Sequence, residues 1–116
     1  MKTTKQHFEL YKKTCLELMD EYKLDDYDVF FEWVGTGSAL ATCRVHIHGI
    51  VTFSLNYEIT INKEDKINDL IKSAAKHEVI HCLIGRYVSL AEDRFTTEDE
   101  LTVEEEHLVR KLEKLL

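Results

Sequence analysis

The spacing of apolar residues divides the first half of the chain into one helical and several extended segments. Residues 4–22 carry apolar side chains three and four positions apart, a pattern that predicts a helix. Segments with a period of two follow, which is typical of half-buried strands. Their alternating positions lie at 29–33, 39–48 and 51–55, and a short fourth strand is predicted at the sequence YEITI, residues 57–61.

The helical period returns in the second half of the chain. It predicts a helix from about Glu64 to Ile84, with Asn62 as its N-cap and Gly85 as its stop. From Val79 onward, apolar residues surround this helix nearly completely. We therefore expect its second half to be buried on several sides.

A connection and a last helix complete the predicted fold. Residues 86–100 are predicted to form a connection with room for one helical turn, and residues 101–116 have the apolar spacing of a helix. The order of elements predicts an α+β fold in a single domain, residues 1–116. This fold has an N-terminal helix, a small, mainly antiparallel sheet of three to four strands, a long helix and a C-terminal helix.

Composition and charge narrow the classes of function. A net charge of -7, a pI near 5.3 and the lack of a basic stripe argue against a nucleic-acid or anionic-membrane surface. The sequence has no apolar span of the length that a membrane helix or a signal peptide needs, so we expect a cytoplasmic protein. Three widely spaced cysteines without a CxxC pair indicate neither a disulfide framework nor a thiolate zinc site.

The segment His77-Glu78-Val79-Ile80-His81 places three polar groups in the most apolar part of the predicted helix. Histidines four residues apart lie about 5 to 6 Å apart on one helix face, so both imidazoles can reach one metal ion. Zinc suits neutral imidazole, and Glu78 is placed to act as general base on a metal-activated water. The alternative is a pair of core histidines with Glu78 as their ion-pair partner, which leaves a carboxylate that is costly to bury.

A third zinc ligand is predicted in the sequence TVEEEHLVRKLEKLL near the C-terminus. On a helical projection, Glu105 lies within about 20° of the apolar direction of this helix, which makes it the predicted ligand. Glu104 lies about 80° from the apolar direction and is the second candidate for this ligand. Glu106 and His107 are expected to point further from the apolar direction. The alternative is that residues 104–106 form a solvated acidic turn favoured by the helix dipole.

The motif HEVIH, after a short sheet and before a glutamate on a separate helix, resembles the gluzincin branch of zinc metallopeptidases in its smallest form. The stretch ITINKEDKINDLIKSAAKHEVIHCLIG also resembles the active-site region of SprT-like proteins and of small HExxH proteins often found in phage genomes. The resemblance covers residues 50–106. It implies a minimal zincin-like fold, His77 and His81 as ligands, Glu78 as base, and an edge strand that aligns a peptide. SprT-like enzymes use a third histidine, for which His107 is the nearest candidate.

Polar residues outside the motif are candidates for further roles. His46 and His48 share a strand face with Arg44, which fits either a second metal site or an exposed polar sheet face. Tyr87 and Arg94 follow the motif helix and are candidates for stabilising an oxyanion.

Three functions follow from these residues, in order of preference. The first is a zinc-dependent peptidase that acts on a peptide or protein substrate. The second is a non-catalytic, zincin-shaped binding or regulatory module, in which zinc ties the C-terminal helix to the core. The third is a metal-free domain that binds a protein partner through its acidic surface and C-terminal helix.

Overall fold

The computed structural model describes the backbone of residues 1–35, 37–46, 49–62, 64–92 and 97–115. Within the helical segments, the side chains of residues 64, 86, 87, 89–92, 101, 104, 111 and 115 are not described. The element order is α1 (Lys5–Glu21), β1 (Asp28–Val34), β2 (Ala41–His46), β3 (Ile50–Asn56), a 3₁₀ turn (Glu64–Lys66), α2 (Ile67–Glu92) and α3 (Glu98–Leu115). The predicted α+β class, with a helix first, a small sheet and helices last, is confirmed.

Helix α1 begins with a reciprocal cap. The Thr4 hydroxyl accepts from the backbone N–H of His7, and the backbone N–H of Thr4 donates to Nδ1 of His7. The helix then buries Tyr11, Cys15 and Met19, which are four residues apart, as the apolar spacing predicted.

The sheet is mixed rather than mainly antiparallel. Its strand order is β1-β3-β2, with β3 parallel to β1 and antiparallel to β2. The expectation of a mainly antiparallel sheet is therefore wrong, because β3 lies between the two strands that precede it in the chain. Strand periodicity determines which side chains share a face but not which strands pair.

The predicted fourth strand at residues 57–61 is also absent from the described sheet. Residues 57–59 form a bend, and the backbone of Ile61 bonds to the N-terminus instead. The Ile61 N–H donates to the Met1 carbonyl at 2.6 Å, and the Met1 ammonium donates to the Ile61 carbonyl at 3.0 Å. These bonds satisfy polar backbone groups that a sheet would otherwise pair.

The core lies between the inner face of the sheet and helices α1 and α2. Strand β3 is central, and all of its residues from Val51 to Asn56 are buried. Phe53 stacks against Phe31 of β1, and Tyr11 of α1 contacts the Phe31 ring edge-on. Ile71, Ala75 and Val79 of α2 belong to the same core cluster, which positions the helix that carries the HExxH motif.

Helix α2 begins after the predicted start and continues well beyond Gly85, so two boundary predictions are wrong. Gly85 lies inside the helix, and residues 86–92, predicted as a connection, extend it. A Cβ at Gly85 would lie only 2.8 Å from Cγ2 of Val45, so the glycine allows close packing of α2 against β2. A glycine needed for packing looks the same in a sequence as a glycine that ends a helix.

Candidate metal centre

The HExxH motif lies on α2 between strand β2 and helix α3. Val79 and Ile80 are fully buried, and Glu78 is only 6% exposed. His77 and His81 are half-buried and line a cavity that also contacts α3. The helical placement of the motif and the burial of the second half of α2 were both expected from the apolar pattern.

The two imidazoles converge on one point. Nε2 of His81 lies 3.2 Å from Nε2 of His77. A tetrahedral ion at about 2.0–2.1 Å from each nitrogen would separate the two nitrogens by roughly 3.3 Å. Ligand atoms of His77, Glu78 and His81 all lie within 4.8 Å of one another, so this group can hold a metal ion.

Two adjacent glutamates of α3 approach His81 from different sides. Glu106 places Oε1 2.8 Å from Nε2 of His81 and Oε2 3.8 Å from Nε2 of His77. Glu105 places Oε1 3.4 Å from Nδ1 of His81, on the other side of the ring. Glu106 therefore faces the point where the two Nε2 atoms converge, and the prediction that it points away is wrong.

The rotation of α3 explains this difference. The predicted apolar direction depended partly on Leu108, but Leu108 is 40% exposed, whereas Val109 is fully buried. The buried face is therefore centred near Val109, which turns Glu106 and Glu113 toward α2. These two glutamates are seven residues apart and share one helix face, a signal that could have found them in the sequence.

Glu113 is a contact residue that the sequence analysis missed. Its carboxylate lies against Nδ1 of His77. Each histidine of the motif therefore meets an α3 carboxylate at Nδ1, through Glu113 for His77 and Glu105 for His81. Of the remaining candidates for third ligand, His107 is exposed and the side chain of Glu104 lies outside the described residues.

Electrostatics in this cluster favour a positive charge. Burial raises the pKa of Glu78 to about 7, and the imidazoles of His81 and His77 oppose this rise only in part. Burial by itself lowers the pKa of His81, but contact with Glu105 and the charges of Glu78 and Glu106 outweigh it, so that pKa is raised. Several carboxylates around two imidazoles attract either a proton or a metal cation.

Two cavities flank the motif. The larger, about 510 Å³, contacts His77, Glu78, His81 and Glu106 and extends along Ala41 to Val45 of β2. The smaller, about 320 Å³, shares His77 and Glu78 and reaches toward Glu113. Within the described sheet β2 pairs only with β3 and is therefore an edge strand, and four of its residues line the larger cavity. The cluster is therefore accessible from a space large enough for a short peptide segment.

Other candidate residues lie away from this cluster or outside the described part of the chain. Arg44 and His46 are exposed, and Arg44 pairs with Glu32 at 3.4 Å. They alternate with Cys43 and Val45, which line the larger cavity, and so lie on the opposite sheet face. The described part of the chain does not include His48, which was predicted to act with His46. It also leaves out the side chain of Tyr87 and all of Arg94.

No protein-family model, curated protein or solved structure matches the chain. None of the helices in the described residues combines the length and apolarity needed to cross a membrane.

Proposed function

We propose that the protein is a zinc-dependent peptidase of the minimal zincin type. Its zinc ligands are His77, His81 and, as the best-placed carboxylate, Glu106. The observation that carries this proposal is the convergence of both Nε2 atoms and the Glu106 carboxylate on one point beside the buried Glu78. Two imidazoles and a carboxylate form a ligand set typical of catalytic zinc.

Each group has a defined part in peptide hydrolysis. Zinc, when bound, polarises the substrate carbonyl and lowers the pKa of water. Glu78 accepts the proton from the attacking water and returns it to the departing amine. The free edge of β2 beside the larger cavity offers backbone groups that pair with an extended peptide, which supports a peptide as the substrate class.

A second candidate is a non-catalytic zinc-binding module. The observation in its favour is Glu105, a second α3 carboxylate 3.4 Å from Nδ1 of His81, which would reach the ion if its side chain turned toward the Nε2 side of the ring. If both glutamates bound the ion, four protein ligands would leave no position for water, as in structural zinc sites. The sequence predicted Glu105 as the third ligand. Glu105 would bind the ion together with Glu106 in the four-ligand module, or in place of Glu106 in the three-ligand peptidase site.

Metal analysis and two substitutions test the proposal. Wild-type protein purified without chelator should contain about one zinc per chain, and His77→Ala should lose it, because a catalytic site with two remaining ligands binds zinc weakly. Glu78→Gln should retain zinc but should no longer hydrolyse peptides. Hydrolysis is measured by mass spectrometry of a peptide library incubated with each protein. His46→Ala is the matched control, since this histidine is exposed on the opposite sheet face.

Each outcome separates the candidates. Equal zinc content in wild type and His77→Ala would contradict the site, and an active Glu78→Gln protein would remove Glu78 as the base. X-ray absorption of the zinc-loaded protein distinguishes three protein ligands plus water, which supports the peptidase, from four protein ligands, which supports the binding module.

A further inference from the structure

The two motif histidines are held in the same way by one helix. Nδ1 of His77 contacts the carboxylate of Glu113, and Nδ1 of His81 lies 3.4 Å from Glu105. Both glutamates lie on α3, are only partly exposed, and approach the rings from the side away from the Nε2 pair. The contacts therefore involve the nitrogens that the proposed zinc site does not use.

This arrangement determines which nitrogen carries the proton. A neutral imidazole has one N–H donor and one acceptor nitrogen, and an ionised carboxylate can only accept. A carboxylate at Nδ1 therefore favours a proton on Nδ1 and a lone pair on Nε2. For His81 this holds when Glu106, which lies 2.8 Å from Nε2, binds the proposed ion instead of accepting a proton from that nitrogen. With both rings in this tautomer, two lone pairs face each other across 3.2 Å, which is unfavourable unless a cation lies between them.

We propose that Glu113 and Glu105 are positioning residues that fix the tautomer and orientation of His77 and His81 for metal binding. This inference depends on the proposed function, because it assumes that the Nε2 atoms bind the ion. Helix α3 then supplies one ligand, Glu106, together with the carboxylates that orient the other two. Docking of α3 on α2 and binding of the metal are thereby coupled.

Glu113 provides the sharper test, because it has no place among the predicted ligands. Glu113→Ala should weaken zinc binding about 10- to 100-fold, the usual effect of removing a partner of a ligating histidine. Glu113→Gln should restore most of this affinity, since its amide oxygen still accepts from Nδ1 of His77. Zinc affinity is measured by competition with a chromogenic chelator. Glu100→Ala, an exposed glutamate on the same helix, is the control and should bind zinc as wild type does.

The tautomer is measured directly by ¹⁵N-correlated NMR of the His77 imidazole in the zinc-free protein, because zinc on Nε2 would by itself leave the proton on Nδ1. Neutral His77 should carry the proton on Nδ1 in wild type and should lose this preference in Glu113→Ala, a change that a merely structural contact would not produce. A proton on Nε2 of His77, or wild-type affinity in Glu113→Ala, would overturn the inference. If Glu113→Ala does not fold, the zinc affinity of Glu113→Gln and the wild-type tautomer of His77 still test whether Glu113 positions this histidine.

Glu105 is tested in the same assay. Glu105→Gln should lower zinc affinity only modestly if the residue positions His81, whereas a loss as complete as that of His77→Ala would make Glu105 a ligand and overturn its assignment. Failure of wild type to bind zinc would contradict the proposed function itself. Zinc-binding wild type with unaffected Glu113 and Glu105 variants would contradict only the positioning roles.

Discussion

At the scale of single residues, Glu78 is a buried carboxyl group whose surroundings disfavour its ionised form. It is buried between α2 and the sheet and directly precedes the fully buried Val79 and Ile80. An ionised carboxylate in such a place reduces stability unless a cation offsets its charge. The residue therefore fits a functional role better than a structural one, since a stability requirement alone would favour an uncharged side chain.

This leads to a prediction about the metal-free protein. With chelator present at pH 8, Glu78→Gln should increase the free energy of unfolding by about 1–3 kcal/mol, because the amide removes the charge at nearly constant shape. Urea denaturation measures the change. Glu58→Gln, at an exposed position, should leave stability unchanged, and a destabilised Glu78→Gln protein would indicate that the carboxylate is well satisfied in the native state.

At the scale of elements, helix α3 connects the candidate centre to the hydrophobic core. Val109 is fully buried in a cluster with Ile80 and Ile84 of α2, one turn from Glu105 and Glu113. The apolar contact fixes the rotation of α3, and this rotation determines which carboxylates reach the histidines. Packing and the proposed metal binding therefore depend on the same helix face.

Truncation of this contact should affect both properties. Val109→Ala should reduce the free energy of unfolding by about 1–3 kcal/mol, because it leaves a cavity between α2 and α3. It should also weaken zinc binding, since the helix that carries Glu106 is less firmly docked. Val103→Ala on the same helix is the control, because Val103 is 54% exposed. If Val109→Ala is destabilised but binds zinc as wild type does, zinc binding does not depend on the contact between α2 and α3 at Val109.

At the scale of the whole molecule, the proposed ion joins two parts of the fold. Helix α2 is held by α1 and the sheet through the main core, whereas α3 packs on α2 through a smaller, separate cluster. A metal with ligands from both α2 and α3 adds a second connection between them. Its binding energy then contributes to the stability of the folded chain.

Thermal unfolding tests this coupling. At free zinc about 100-fold above Kd, binding should stabilise the native state by about 2.7 kcal/mol and raise Tm by roughly 10 °C. Calorimetry with zinc and with chelator measures the shift, and His77→Ala should show none. A wild-type Tm unaffected by either addition would support the metal-free interaction domain instead.

The sequence by itself determined the features that depend on local spacing. Apolar residues three and four apart predicted α1, and the pair at positions 77 and 81 predicted two imidazoles on one face of α2. Both predictions depend only on the geometry of one continuous segment. The side-chain alternation of β2 was likewise confirmed, with Cys43 and Val45 facing inward.

Tertiary structure decided the features that depend on contacts between distant segments. The insertion of β3 between β1 and β2, the packing of Gly85 against Val45 and the rotation of α3 all arise from such contacts. In the packed structure, Glu106 rather than the predicted Glu105 faces the converging nitrogens. Local periodicity gives the faces of each element, but only the packed core determines which face meets which neighbour.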